Sequence, residues 1–225
     1  GISPPEHRLW GIDPDHAKAR FEEQFATLLA ALGHESTVTG DSPPDINLTP
    51  YAGRIPGFWY AGNARYAGER RLSTVLSGPV EVLSETARAY RDALASPIAD
   101  QNPGEPSPVF AVKRHVYVAR TDEEAFARVA RAYPVYHENL ARLWKQYDEP
   151  FPSRDPSFDG DMHAAMAAQD LVVGSPKTVA AHFAAIAASV DTDYLIAAFA
   201  WGDLSLPESL TSMERFASEV MPRLQ

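Results

Sequence analysis

The chain contains no cysteine. Disulfides, a zinc–thiolate site and a cysteine nucleophile are therefore excluded, and a reducing cytoplasm is the expected setting. No run of 18 apolar residues is present that could cross a bilayer as a helix, so no membrane partner is expected. Nor does a basic-then-apolar leader open the sequence. Positive charge is in deficit, with 20 Lys and Arg against 30 Asp and Glu and a net charge of −10. Nucleic-acid binders carry a basic footprint, so no nucleic-acid partner is expected. Sharp catalytic signatures are missing too. There is no His-Glu-x-x-His pair, Gly-x-Ser-x-Gly elbow, Walker loop or Gly-x-Gly-x-x-Gly fingerprint. Zinc hydrolysis, acyl transfer, P-loop chemistry and Rossmann dinucleotide binding are left without support, and no metal is expected.

What the chain does have is apolar substance: 225 residues, 45% of them hydrophobic, enough for one sizeable core in a single domain over 1–225. Its clearest stretch runs from Leu171 to Leu224. Leu171-Val172-Val173 is a short apolar strand stopped at Gly174-Ser175-Pro176, where Ser175 can cap a helix and Pro176 occupies its first position. The helix places Val179, Phe183, Ile186 and Ala187 on one face. Tyr194 to Trp201 is apolar without alternation, as a strand covered on both faces is. Gly202-Asp203 ends it, and a helix opened by Pro207 carries Leu210, Met213, Phe216, Ala217 and Val220 inward. Consecutive β-α units of this kind predict parallel strands with an outer helical layer.

The earlier chain carries the same alternation. Gly1 to Asp13 reads as a loop; Asp13 then caps a helix with Pro14 at its first position and Ala17, Phe21, Phe25, Leu28, Leu29 and Leu32 as its buried stripe. Residues 34–54 are polar and turn-rich and predict a lid or insertion, with either a short hairpin of 35–39 against 46–48 or poor order. Strands follow at 55–61 and 72–77, each with a helix behind it (64–71 and 80–94). A Pro-rich linker, 96–108, leads to a strand at 109–119. Thr121-Asp-Glu-Glu124 is a capping box opening a long helix that Pro134 should break or kink. A short helix over 161–169 completes the pattern.

Three stretches carry a family resemblance. "VVGSPKTVAAHFAAIAASVDTDYLIAAFAWGD" with "SMERFASEVMPRLQ", "RHVYVARTDEEAFARVARAYPVYHENLARLW" and "GISPPEHRLWGIDPDHAKARFEE" together resemble the bacterial-luciferase-like monooxygenases. The resemblance implies an α/β fold of the (β/α)8 TIM-barrel type. It starts partway through the family pattern, so the second half of a barrel is expected, without its N-terminal strands. It also implies a flavin-dependent monooxygenase. Reduced FMN would come from a separate reductase, a transient partner, and would act with dioxygen on a small organic substrate. F420-dependent hydride transfer on the same fold, and a non-catalytic flavin-binding protein, are the alternatives. A homodimer stays open.

Site residues follow by position in the family pattern. Gly1 and Ile2 stand where a loop opens over the flavin, and Lys18, with Arg20 the near alternative, where a basic side chain reaches the flavin phosphate. Both could equally be solvated charges on an exposed helix face. Ala61, Gly62, Asn63 and Ala64 stand in the phosphate turn, or form a plain β-to-α turn capped by Asn63. Trp10, His115 and Trp201 are candidates for the substrate pocket. Trp201 could instead cap the rim, and His115 could face outward. His137 and His163 read as structural. The histidine that assists catalysis in described family members belongs to the first half of the barrel, so no catalytic residue is assigned.

Overall fold

The computed structural model describes residues 3–32, 55–96, 107–151, 159–192 and 194–224. Gly1, Ile2, the expected lid hairpin and most of the Pro-rich linker lie outside the described residues. Five strands, β1 (Trp59–Tyr60), β2 (Ser73–Leu76), β3 (Phe110–Val118), β4 (Leu171–Gly174) and β5 (Tyr194–Ala198), form one sheet in which every pairing is parallel. Eight helices accompany them among the described residues: α1 (Pro4–Leu9), α2 (Pro14–Ala31), α3 (Ala64–Glu69), α4 (Val80–Ala95), α5 (Asp122–Gln146), α6 (Met162–Ala167), α7 (Pro176–Val190) and α8 (Leu206–Arg215). The expected β-α alternation is therefore present.

β3 is the hub. Ala111 and Val112 pair with both β2 and β5, so those two strands lie on opposite edges; His115 pairs with both β4 and β5. Hence β2 and β4 share one edge of β3 in tandem. Even-numbered β3 residues face α4 and α7, where Phe110, Val112 and Val116 pack with Leu83, Tyr90, Phe183 and Ile186. On the other face, β4 meets α5, where Leu171 and Val173 join Ala125, Val129 and Ala132. The sheet is open but curled. Trp59 on β1 and Tyr194 on β5 bring their rings to 5.9 Å, although three strand spacings in a flat sheet would separate their backbones by about 14 Å. This shape is compatible with a segment of a barrel wall.

Several expectations need correction. The leading segment is not all loop: Pro4 and Pro5 sit at the first positions of α1, where their missing N–H groups cost no hydrogen bond. α5 runs unbroken through Pro134. In α2, Leu28 is exposed, and the buried positions are Leu29 and Ala31. The α8 stripe is turned. Leu210 and Met213 are 46% and 47% exposed while Ser209 and Ser212 are buried. The cause is polar: the Ser212 hydroxyl accepts the Val118 N–H at 2.8 Å, so the helix faces β3 through a serine rather than through its leucine. Beyond Arg215 the helix widens into a π turn (Phe216–Val220) that packs Phe216 against Phe183 and Phe199.

Candidate functional site

Parallel pairing sends every β-to-α turn out of the same end of the sheet. The Ala61–Ala64 turn after β1 and the Trp201–Asp203 turn after β5 therefore share that end. Beside the first turn lies a cleft of about 730 Å³, within the usual range for small-ligand sites. α2 contributes Pro14, Ala17, Lys18 and Phe21, one face at i, i+3, i+4 and i+7. β1 and α3 contribute Trp59, Tyr60, Ala61, Asn63, Arg65, Tyr66 and Glu69. The walls are aromatic: the Tyr60 ring lies 5.4 Å from Phe21 and 5.0 Å from Tyr66. Gly62 permits this arrangement, because a Cβ there would stand 2.7 Å from the Tyr60 ring.

Helix phase separates the two sequence candidates for an anion contact. Lys18 lines the cleft, whereas Arg20 lines a separate open groove with His16, Glu23 and Thr27. Among the described residues no carboxylate stands within ion-pair distance of Lys18, although the chain as a whole is acidic. Asn63 caps α3, its side-chain oxygen accepting the Tyr66 N–H at 2.9 Å. Ala64 is buried beneath the turn and does not line the cleft. The opposing walls are strapped together. Glu22 on α2 accepts from the Tyr66 hydroxyl at 2.6 Å and from Arg70 at 3.0 Å, and the Arg70 guanidinium lies 3.6 Å from the Tyr66 ring centre. Burial, then the hydrogen bond to Glu22, pushes the Tyr66 hydroxyl above its ordinary range, so Tyr66 remains a neutral donor.

The other candidates sit elsewhere. Trp10 is 73% exposed at the end of α1 and does not line the cleft. His115 and Trp201 meet each other at 6.0 Å and Tyr136 of α5 at 4.5 Å and 6.0 Å, in a cluster separate from the cleft lining. Trp201 is buried, its indole N–H donating to the Val116 carbonyl at 3.2 Å. Arg128 of α5 closes the turn from outside, donating to Asp203 at 2.7 Å and to Glu208 at 2.5 Å. Tyr60, Tyr66, Phe21, Arg65 and Tyr136 carry no mark in the sequence that assigns them to a site. Of these only the Arg65–Glu69 pair has a local signal, its i,i+4 spacing.

Burial, reinforced by Lys113, lowers the His115 pKa to about 4, so the ring is neutral near pH 7. Arg128 and Ser205 hold Glu208 down at about 2. Both folded-state values lie below the ordinary 6.5 and 4.5, so at these sites the unfolded chain takes up protons first as pH falls. Stability should therefore drop in two overlapping stages, from about pH 6.5 to 4 through His115 and from about 4.5 to 2 through Glu208. Urea midpoints across this range should show it. His115→Gln should flatten the upper stage and leave the lower one; an unchanged upper slope would exclude His115 as its source.

The fold and cleft define an α/β protein with its candidate site at the C-terminal end of a parallel sheet. The luciferase-like monooxygenase family model matches residues 1–193, and the chain belongs to that family. It is 27% identical over 236 residues to the uncharacterized protein y4wF of Sinorhizobium fredii (strain NBRC 101917 / NGR234), covering all of this chain and 66% of that protein. The fold is shared with the monooxygenase RslO1 of Streptomyces bottropensis at TM-score 0.74 and 20% identity, over 100% of this chain and 67% of RslO1. It is also shared, at TM-score 0.55 and 20% identity, with the oxygenating constituent of the 3,6-diketocamphane monooxygenase of Pseudomonas putida, solved in complex with FMN. That match covers 85% of this chain and 55% of the other. The chain thus spans about two thirds of the length of its curated relative. No helix among the described residues is long and apolar enough to cross a membrane.

Proposed function

We propose that this chain contributes the cofactor-phosphate cleft of a flavin-dependent monooxygenase acting on a small organic substrate, with reduced FMN supplied by a transient reductase partner. The observation that carries the reading is Lys18, a cation without a carboxylate partner among the described residues, facing an aromatic cleft at the C-terminal end of a parallel sheet. The residues fit the group. Lys18 would meet the phosphate, Asn63 and the backbone of Ala61 to Asn63 would border it, and Phe21, Tyr60 and Tyr66 would supply a flat apolar wall. When bound, reduced flavin supplies the electrons and activates dioxygen. The chain's own part is to bind, orient and exclude water. Gly1, Ile2, Trp10, His115 and Trp201 belong to the same proposal as loop and pocket residues.

Titration with FMN, followed by quenching of flavin fluorescence, is the direct test. Saturable binding weakened about tenfold by Lys18→Ala is expected, the size of one charge-assisted contact. Quenching that never saturates would reject the reading. The absorption spectrum of the bound chromophore separates FMN from F420. Product formation with a reductase present separates turnover from binding alone.

A further inference from the structure

We propose that α1 is a hinged cover of the cleft, latched shut by Arg8 against the end of α5. The inference goes beyond the flavin reading and does not rest on it, because it concerns access to the cleft and not the occupant. A helix of six residues has too few internal hydrogen bonds to persist alone in water, so contacts outside it decide where it stands. α1 has such contacts with two different elements. His7 is 8% exposed and lines the cleft with Pro14, Ala17 and Lys18 of α2. Its neighbour Arg8 reaches α5 instead: its Nε stands 2.7 Å from a Glu149 oxygen, and its Nη1–H donates to the Tyr147 carbonyl at 3.4 Å.

The charges suit a latch. Tyr147 caps the C-terminus of α5, where unpaired carbonyls leave partial negative charge, and Glu149 adds a full one beside it. The Glu149 side chain is 15% exposed and that of Arg8 59%. Such a pair can part without opening a core, since the arginine returns to water; the closed state is preferred by a modest margin. The joint is confined as well. The Gly11 and Ile12 amides donate to the Arg8 and His7 carbonyls at 3.2 and 2.8 Å, a helix ending that needs a left-handed residue, and Gly11 supplies it at φ +61°. Asp13 already caps α2, so Gly11 and Ile12 alone lie between the caps of the two helices. A side chain at Gly11 would meet nothing within 4 Å among the described residues, so the joint has room to turn. Open, the cover admits a ligand; shut, it keeps water from one.

The chain has no cysteine, so a single introduced thiol reports access. Ala17→Cys places it in the cleft lining, and Ala95→Cys, at the exposed end of α4, is the control. Adding Glu149→Gln should speed labelling by a neutral maleimide about fivefold at position 17, the worth of one partly exposed ion pair, and leave position 95 unchanged. Arg8→Ala should do the same from the other side of the latch. Concentrated salt should remove the difference, because it screens the pair. Equal rates with and without Glu149→Gln would mean that the pair does not hold α1, and overturn the latch. A rise at both positions would mean that the whole chain has loosened, and a difference that survives salt would mean that the substitution acts through something other than charge; either overturns it too.

Discussion

Gly202→Ala should cost about 3–5 kcal/mol and lower the melting temperature by roughly 10 °C or more. Two effects add. Gly202 has φ +60°, where an alanine pays about 1–2 kcal/mol. A Cβ there would also run into the backbone carbonyl oxygen of Ala132, with the carbonyl carbon at 3.0 Å and the Ala132 Cβ at 3.2 Å. That carbonyl belongs to the middle of α5, a 25-residue helix held by Ala125, Val129 and Ala141, so it has little room to yield. Nor can the turn move away, because Trp201 on one side donates to Val116 and Asp203 on the other is paired with Arg128. Gly11 provides the control: its φ is +61°, but nothing lies within 4 Å of where an alanine methyl would stand. Gly11→Ala should therefore show the conformational part alone. Denaturant unfolding of both variants measures the difference, and equal losses would mean that the contact with α5 is relieved at no cost.

The elements most legible in the sequence are those whose ends are chemically marked. Ser175 and Pro176 open α7 where expected, and Thr121 with its following acids opens α5. The turn of α8 escapes because apolar periodicity assigns Leu210 and Met213 inward, and only the tertiary position of Val118 explains why a serine goes there instead. β5 stops at Ala198, short of the apolar run, because Phe199 and Trp201 are taken into helical cores on either side. At the site, the phase of Lys18 with Pro14, Ala17 and Phe21 is a local pattern that favours it over Arg20. Arg65 has no such pattern. Its place in the lining depends on α3 standing against α2 across 44 residues of sequence, a juxtaposition fixed by Tyr66 and Glu22.

Removing either partner of the buried Arg114–Asp170 pair should cost about 3–5 kcal/mol, whereas replacing both by apolar residues should cost less. Arg114 is wholly inaccessible, in the middle of β3, and Asp170, just before β4, is 4% exposed. The guanidinium stands 3.5 Å from the carboxylate and also donates to the Lys113 carbonyl at 2.9 Å; the same carboxylate oxygen accepts the Gly78 N–H at 2.9 Å. One pair thus joins β3, the start of β4 and the turn after β2. Arg114→Met takes the opposite charge from a buried carboxylate that keeps the Gly78 N–H, and Asp170→Leu takes it from a buried guanidinium that keeps the Lys113 carbonyl. Each leaves a desolvated charge, which is the expensive outcome. Arg114→Met with Asp170→Leu removes both charges at once and leaves the Gly78 N–H without this acceptor, so the double variant should lie within about 3 kcal/mol of the wild type and the coupling between the sites should exceed about 2 kcal/mol. Urea midpoints for the four proteins complete the cycle. Losses that simply add would mean that the two charges are answered by other groups, and that the strand junction does not depend on their pairing.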